Sequence, residues 1–228
     1  MPRHTYPTAL ARSTSFRPPK RQHDSAEDRH QAVLDAAEQR LASGFSRTAL
    51  PDIAAALGMS VNYVRAVFGN REALVEPLLD RHMDRLIDRL GVYQSNNDAT
   101  DPAERLGHAI ATLLDMVWAY RAGHRVHVAA SHGASAQLAA SLKLRQRHLV
   151  HVYAGLIAAA VPEADANELA MPATLNLMGM VSWHVLWFRE MGALTRTDLA
   201  RLLTHMVTDG VRAAAREGVG RWEGADGG

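Results

Sequence analysis

An asparagine, a tyrosine and two arginines stand close together as Asn62, Tyr63, Arg65 and Arg71, just after a serine and a valine at Ser60 and Val61. An asparagine amide can pair with adenine through two hydrogen bonds, and a guanidinium meets a phosphate with charge as well as hydrogen bonds. Farther on, Trp118, Tyr120, Tyr153, Trp183, Trp187 and Phe188 gather bulky rings, with Met116, Met178 and Met180 among them. Such a set can line an apolar pocket that methionine makes adaptable. It can equally be core packing or a subunit seam. The chain also holds 12 histidines. His124 and His127, and again His148 and His151, are spaced to share one helix face, which can place two metal ligands together. No cysteine exists and no carboxylate stands at a fixed spacing beside them. The favoured reading is therefore surface histidines or polar pocket residues, one of them, such as His127, orienting a polar group of a ligand. No metal site and no cofactor is expected. Catalytic patterns are missing altogether: no Gly-x-Ser-x-Gly elbow, phosphate-cradling glycine loop, dinucleotide fingerprint or His-Glu-x-x-His.

These side chains need helices to position them. Val33, Leu34, Ala37 and Leu41 recur at helical spacing, with Ser25 as cap and Gly44 as stop, predicting a helix over 25–43. Asp52–Leu57 reads as a short helix ended by Gly58; Ser60 caps a second over Val61–Phe68, which Gly69 stops. A longer helix over 71–90 follows, with Pro77 inside it as a point of bending. Asp101-Pro102-Ala103-Glu104 is a strong helix start after a loop at 91–100. Further helices are expected over 102–121, 124–133, 136–160, 163–190 and 197–217, with turns at Gly123, Gly133, Val161-Pro162 and Gly192. No strand alternation and no repeat occurs. The fold class is all-α, with about nine helices.

The short pair around Gly58 has the form of a helix-turn-helix. Its first helix braces a duplex while the start of the second enters the major groove. Ile53, Leu57, Val64 and Phe68 would hold the pair together. Gly44-Phe45, Thr48, Asp52-Ile53-Ala54, Gly58-Met59-Ser60, Phe68 and Asn70-Arg71-Glu72-Ala73-Leu74 resemble, in order and spacing, the signature of TetR-family transcriptional regulators. The resemblance covers about residues 25–75. It implies a homodimer, a palindromic double-stranded DNA operator, and a C-terminal pocket whose small apolar or aromatic effector switches DNA affinity. It places DNA contacts at Thr48, Ser60, Val61, Asn62, Tyr63, Arg65 and Arg71. The sequence departs from the family at Ala49, Arg65 and Val67, where a hydroxyl, a tyrosine and a ring residue are usual.

The expected organisation is a basic tail over 1–23, a helix-turn-helix domain over 24–70, an effector and dimerisation domain over 71–217, and a flexible end over 218–228. Arg12, Arg17, Lys20 and Arg21 in the tail can reach phosphates or a minor groove, or be solvated. Net charge is only +1, so any charge used on DNA must be local. Basic residues outnumber acidic ones across 1–75, while the remainder is slightly acidic. Hydrophobic residues make up 47%, enough for a real core. The absence of cysteine fits a reducing compartment, and neither a signal peptide nor a membrane span is legible. A cytoplasmic, non-enzymatic DNA-binding repressor is expected. The ligand pocket is expected at Trp118, Tyr153, Met178, Trp183, Trp187 and His127. The rival reading is a carrier of small molecules or lipids built on the same fold, without DNA binding.

Overall fold

Helix starts follow the capping chemistry of the sequence. Ser25 accepts from the Asp28 amide at 3.0 Å while Asp28 accepts from the Ser25 amide at 3.2 Å. Thr195 and Asp198 form the same reciprocal pair, Ser135 accepts from the Leu138 amide, and Pro102 follows the Asp101 cap. The computed structural model describes residues 25–45, 47–94, 101–133, 135–190 and 192–219. Among these the chain forms ten helices and no strand. They are α1 (Ala26–Gly44), α2 (Leu50–Leu57), α3 (Val61–Phe68), α4 (Arg71–Gln94) and α5 (Pro102–Ala119), then α6 (Arg121–Gly133), α7 (Ala136–Ala160), α8 (Pro162–Ala166), α9 (Ala170–Trp187) and α10 (Arg196–Arg216). The expectations for residues 1–23, including the tail arginines, lie outside the described residues, as does most of 218–228.

Three elements differ from the sequence expectation. The helix expected over 163–190 is two, α8 and α9, divided at Asn167–Leu169, where Glu168 takes φ 57°. Gly91 does not end α4, which runs on to Gln94. The break expected at Gly123 falls instead at Tyr120, whose amide closes α5. Gly123 lies inside α6, where a Cβ would stand 3.3 Å from His82 Nδ1 and 3.4 Å from the Glu38 carboxylate. Close approach, not turn geometry, accounts for this glycine.

Two apolar clusters hold the molecule together. One joins Val33, Leu34, Ala37 and Leu41 of α1 to Ile53 and Ala54 of α2, Val64 and Phe68 of α3, and Leu74, Val75, Leu78 and Leu79 of α4. It also takes Val126 and Ala130 from α6 and Leu138 and Leu142 from α7. The other gathers Met83, Leu86 and Leu90 of α4 with α5, the rest of α7, α9 and α10. Helix α4 thus serves both clusters, its first half in one and its second half in the other. Each fully buried Leu or Val contributes about 1.5–3 kcal/mol relative to exposure, so this continuity ties the N-terminal helices firmly to the rest.

Candidate nucleic-acid interface and effector cavity

Gly58 ends α2 in the left-handed conformation, φ 64°, which a residue without a Cβ adopts freely. The Asp52 carboxylate secures the start of α2 by accepting from the Ala49 amide at 2.8 Å. Ser60 accepts from the Tyr63 amide at 3.1 Å and so fixes the first turn of α3. Val64 and Phe68 are buried, which turns Asn62 and Arg65 outward, both exposed. Val61 is half-buried beside them. Tyr63 is half-buried too, its hydroxyl accepting from Arg29 Nε at 3.4 Å.

Two of the expected contacts are turned inward. The Thr48 hydroxyl donates to carbonyls of Gly44 at 2.9 Å and Arg40 at 3.0 Å, capping the end of α1. Arg71 donates through Nε to the Thr48 carbonyl at 3.0 Å and through Nη2 to the Phe45 carbonyl, with its guanidinium 4.3 Å above the Phe45 ring. It latches the start of α4 onto the loop between α1 and α2. A phosphate would have to share a guanidinium already committed to backbone carbonyls. Arg47 is exposed in that loop and belongs to no motif of the sequence.

The second candidate site is a cavity of about 120 Å³ where α4, α5, α6, α7 and α9 meet. Its apolar wall includes Met83, Leu86, Leu113, Val117, Leu149 and Met178; its polar wall is His82, His124, His127 and Gln146. Of the expected pocket residues it takes Met178 and His127 alone. Tyr153 is fully buried in the core, its hydroxyl donating to the Ala109 carbonyl at 2.6 Å. Trp118 is half-buried edge-on to Phe188, with ring centroids 5.3 Å apart. Trp187 is 50% exposed, and Trp183, 60% exposed, borders an open groove of about 630 Å³ between α1, α6 and α9. These four rings do not wall the cavity, because ring chemistry does not say which helix face a residue occupies. His82 was missed for a related reason. Only tertiary packing brings α4 to α6.

The histidines are buried and held neutral. Desolvation pushes His82 well below its usual value, to which the neighbouring His124, His127 and Arg85 add. Desolvation also takes His124 down to about 3 and His127 to about 4. His82 Nε2 lies 3.1 Å from His124 Nδ1, and Gln146 Nε2 lies 2.8 Å from His127 Nε2. Behind His82, Glu38 of α1 is buried and paired with Arg81 and Arg85 of α4. Among the described residues no cluster of three or more His, Asp or Glu is placed to hold a metal ion, and no helix is long and apolar enough to cross a membrane. His148 and His151 are exposed on α7.

Residues 99–211 match the family model of the tetracyclin repressor-like C-terminal domain. No curated protein matches the chain in sequence. The fold is similar to that of a TetR-family transcriptional regulator from Bordetella parapertussis, with a TM-score of 0.71 and 23% identity, covering 80% of this chain and 95% of that one. It is similar to the ketosteroid transcriptional regulator KstR2 of Mycobacterium tuberculosis, with a TM-score of 0.63 and 21% identity over 80% of this chain and 94% of that one. It is similar also to AibR, solved with isovaleryl coenzyme A and operator DNA, with a TM-score of 0.64 and 21% identity over 79% and 98%. With a helix-turn-helix braced on α1 and α4, followed by that C-terminal domain, the chain belongs to the TetR family.

Proposed function

We propose that the protein is a homodimeric repressor that holds a palindromic operator and releases it when a small effector fills the cavity among α4, α5, α6, α7 and α9. The observation that carries this reading is the position of α4. Its first half packs under the DNA-reading helices, its second half walls the cavity, and His82 stands where the halves meet. A ligand that alters the packing of His82 bears on the helix supporting α1, α2 and α3. AibR, with an acyl-coenzyme A and operator DNA in one crystal, supports the idea that this fold accommodates both kinds of ligand.

In the free dimer two copies of α3 would lie about 34–36 Å apart, matching successive major grooves. The effector must bind the DNA-incompetent arrangement more tightly, since a ligand indifferent to the two states shifts neither. The dimer forms through α9 and α10, whose Leu175, Leu186, Leu202 and Met206 are exposed apolar residues. Asn62 reads a base and Arg65 grips a phosphate.

The test is selection of DNA from the protein's own genome, followed by quantitative gel shifts. Asn62→Ala should cost about 1–3 kcal/mol at one base position and relax preference there. Arg65→Ala should weaken all sequences alike and flatten the log–log salt dependence by about one unit. A folded protein that selects no sequence but still binds small molecules would be a carrier instead.

A further inference from the structure

The polar wall of the cavity carries unused hydrogen-bonding groups. His82, His124 and His127 are 1%, 3% and 6% exposed, with ring centroids 5.2–5.7 Å apart. Each keeps one buried ring nitrogen without a hydrogen-bond partner: Nδ1 of His82, Nε2 of His124 and Nδ1 of His127. Buried polar atoms of this kind are costly, and several in one small cavity point to a ligand that satisfies them.

The proton positions follow from the neighbours. The 3.1 Å bond between His82 Nε2 and His124 Nδ1 holds one proton, so of the outer nitrogens, His82 Nδ1 and His124 Nε2, one carries a proton and the other a lone pair. A ligand O–H that meets His124 Nε2 selects the arrangement in which that nitrogen is the lone pair and His82 Nδ1 the N–H. The Gln146 amide donates to His127 Nε2, which puts the His127 proton on Nδ1. The two rings are stacked, 12° from parallel, and so present one N–H donor and one lone pair to the same cavity.

We propose that His124 and His127 bind the carboxyl group of a small organic acid, and that one proton is taken up as it binds. The acid's C=O accepts from His127 Nδ1–H, and its O–H faces His124 Nε2. Whether the proton stays on the acid or moves to His124, the complex holds one proton more than the free carboxylate and free protein at neutral pH. The Ser182 backbone faces His124 and favours its charged form, so either placement is accommodated. A metal ion is the poorer fit, because His82 and His124 bond to each other instead of converging on a point. The cavity of about 120 Å³ sets the acid's size. An apolar cavity of about 150 Å³ takes benzene. This cavity is smaller, so a short aliphatic acid such as propanoate or butanoate suits the wall formed by Met83, Leu86, Leu113, Val117, Leu149 and Met178.

The surrounding charges leave this proton count clean. Glu38 of α1 is paired with Arg81 and Arg85 of α4, and Asp80 of α4 with Arg145 of α7. From α9 comes His184, itself shifted down by burial, and α5 contributes Leu113 and Val117. Arg125 of α6 donates to the Val185 carbonyl, away from the cluster. With His124 near 3 and His127 near 4, the free cluster carries no proton above about pH 5 that could be released to cancel the one taken up.

This proposal rests on the effector-cavity reading, and the test separates the two. The full-length protein is titrated calorimetrically with propanoate, butanoate and 3-methylbutanoate, at pH 7 in buffers of different ionisation enthalpy and then across pH 5.5–7.5. At least one acid should bind with close to one proton taken up, its affinity falling about tenfold per unit rise in pH. Methyl propanoate, close to butanoate in size but with no proton to give, should bind at least about tenfold more weakly. His127→Leu, checked for native helicity, should lose binding by a similar factor. Failure of all three acids at millimolar concentration, a proton count near zero, or uptake of Zn²⁺ in place of any acid overturns the proposal. Gel shifts on the same preparation decide the rest. Operator binding without acid binding sinks this inference and leaves the regulator standing, whereas absence of operator binding sinks the regulator whatever the acids do.

Discussion

His124 and His127 surrender their charge when the chain folds, and that has a measurable cost in acid. An unfolded histidine titrates near 6.5, while burial holds these two near 3 and 4. Between those values the unfolded chain binds more protons than the folded one, so stability rises with pH. The contribution is complete above about pH 6.5 and is lost as pH falls toward the folded values. At pH 5 the loss is on the order of 2 kcal/mol for each of the two, with His82 adding in the same direction. Thermal melts from pH 8 to pH 5 should show Tm dropping steeply below pH 6.5; a flat profile would mean that these rings are not buried neutral. At this scale the sequence was readable where spacing along one helix does the work. His127, paired by spacing with His124, does line the cavity, and Asn62 and Arg65, placed after the Ser60 cap, are exposed as their positions imply. It was opaque where partners arrive from another helix, as with His82 and Glu38, or where only packing decides a direction, as with Arg71.

Helix boundaries were legible wherever a cap or a glycine in an open turn marks them, as at Ser25, Asp101 and Gly58. They were not legible at Gly123, because the sequence does not distinguish a glycine that stops a helix from one that admits a neighbour. The division between α8 and α9 was hidden for a different reason. Glu168 adopts a left-handed conformation that its residue type does not advertise. Two substitutions separate these roles of glycine within helices. Gly123→Ala in α6 places a Cβ at 3.3–3.4 Å from His82 and from a carboxylate clamped by Arg81 and Arg85. Overpacking of about 1–3 kcal/mol should outweigh the gain of about 1 kcal/mol in helix propensity. Gly155→Ala in α7 meets nothing within 4 Å and should raise stability by up to about 1 kcal/mol. Chemical denaturation of both variants checks the contrast, and a stabilised Gly123→Ala would show that the contact with His82 and Glu38 is not tight.

For the molecule as a whole, the all-helical class and the order of helices were readable from hydrophobic periodicity, because each helix buries one face. How the faces combine was not readable, since α4 and α7 divide their apolar residues between two clusters. The exposed Leu202 and Met206 on α10 are the best evidence for a subunit seam. Leu202→Asp with Met206→Asp should yield a helical monomer by light scattering, with operator affinity reduced at least about tenfold because two half-sites are no longer gripped together. Unchanged mass would move the seam elsewhere. The shared core also bears on modularity. Regulators of this kind invite the engineering of chimeras, in which the reading head of one is grafted onto the sensor of another. In this chain a joint at Arg71 would leave Val126, Ala130, Leu138 and Leu142 facing foreign side chains, and a joint inside α4 would divide the helix between its two cores. The reading head is not a detachable part: to transplant it, the matching faces of α6 and α7 must travel with it.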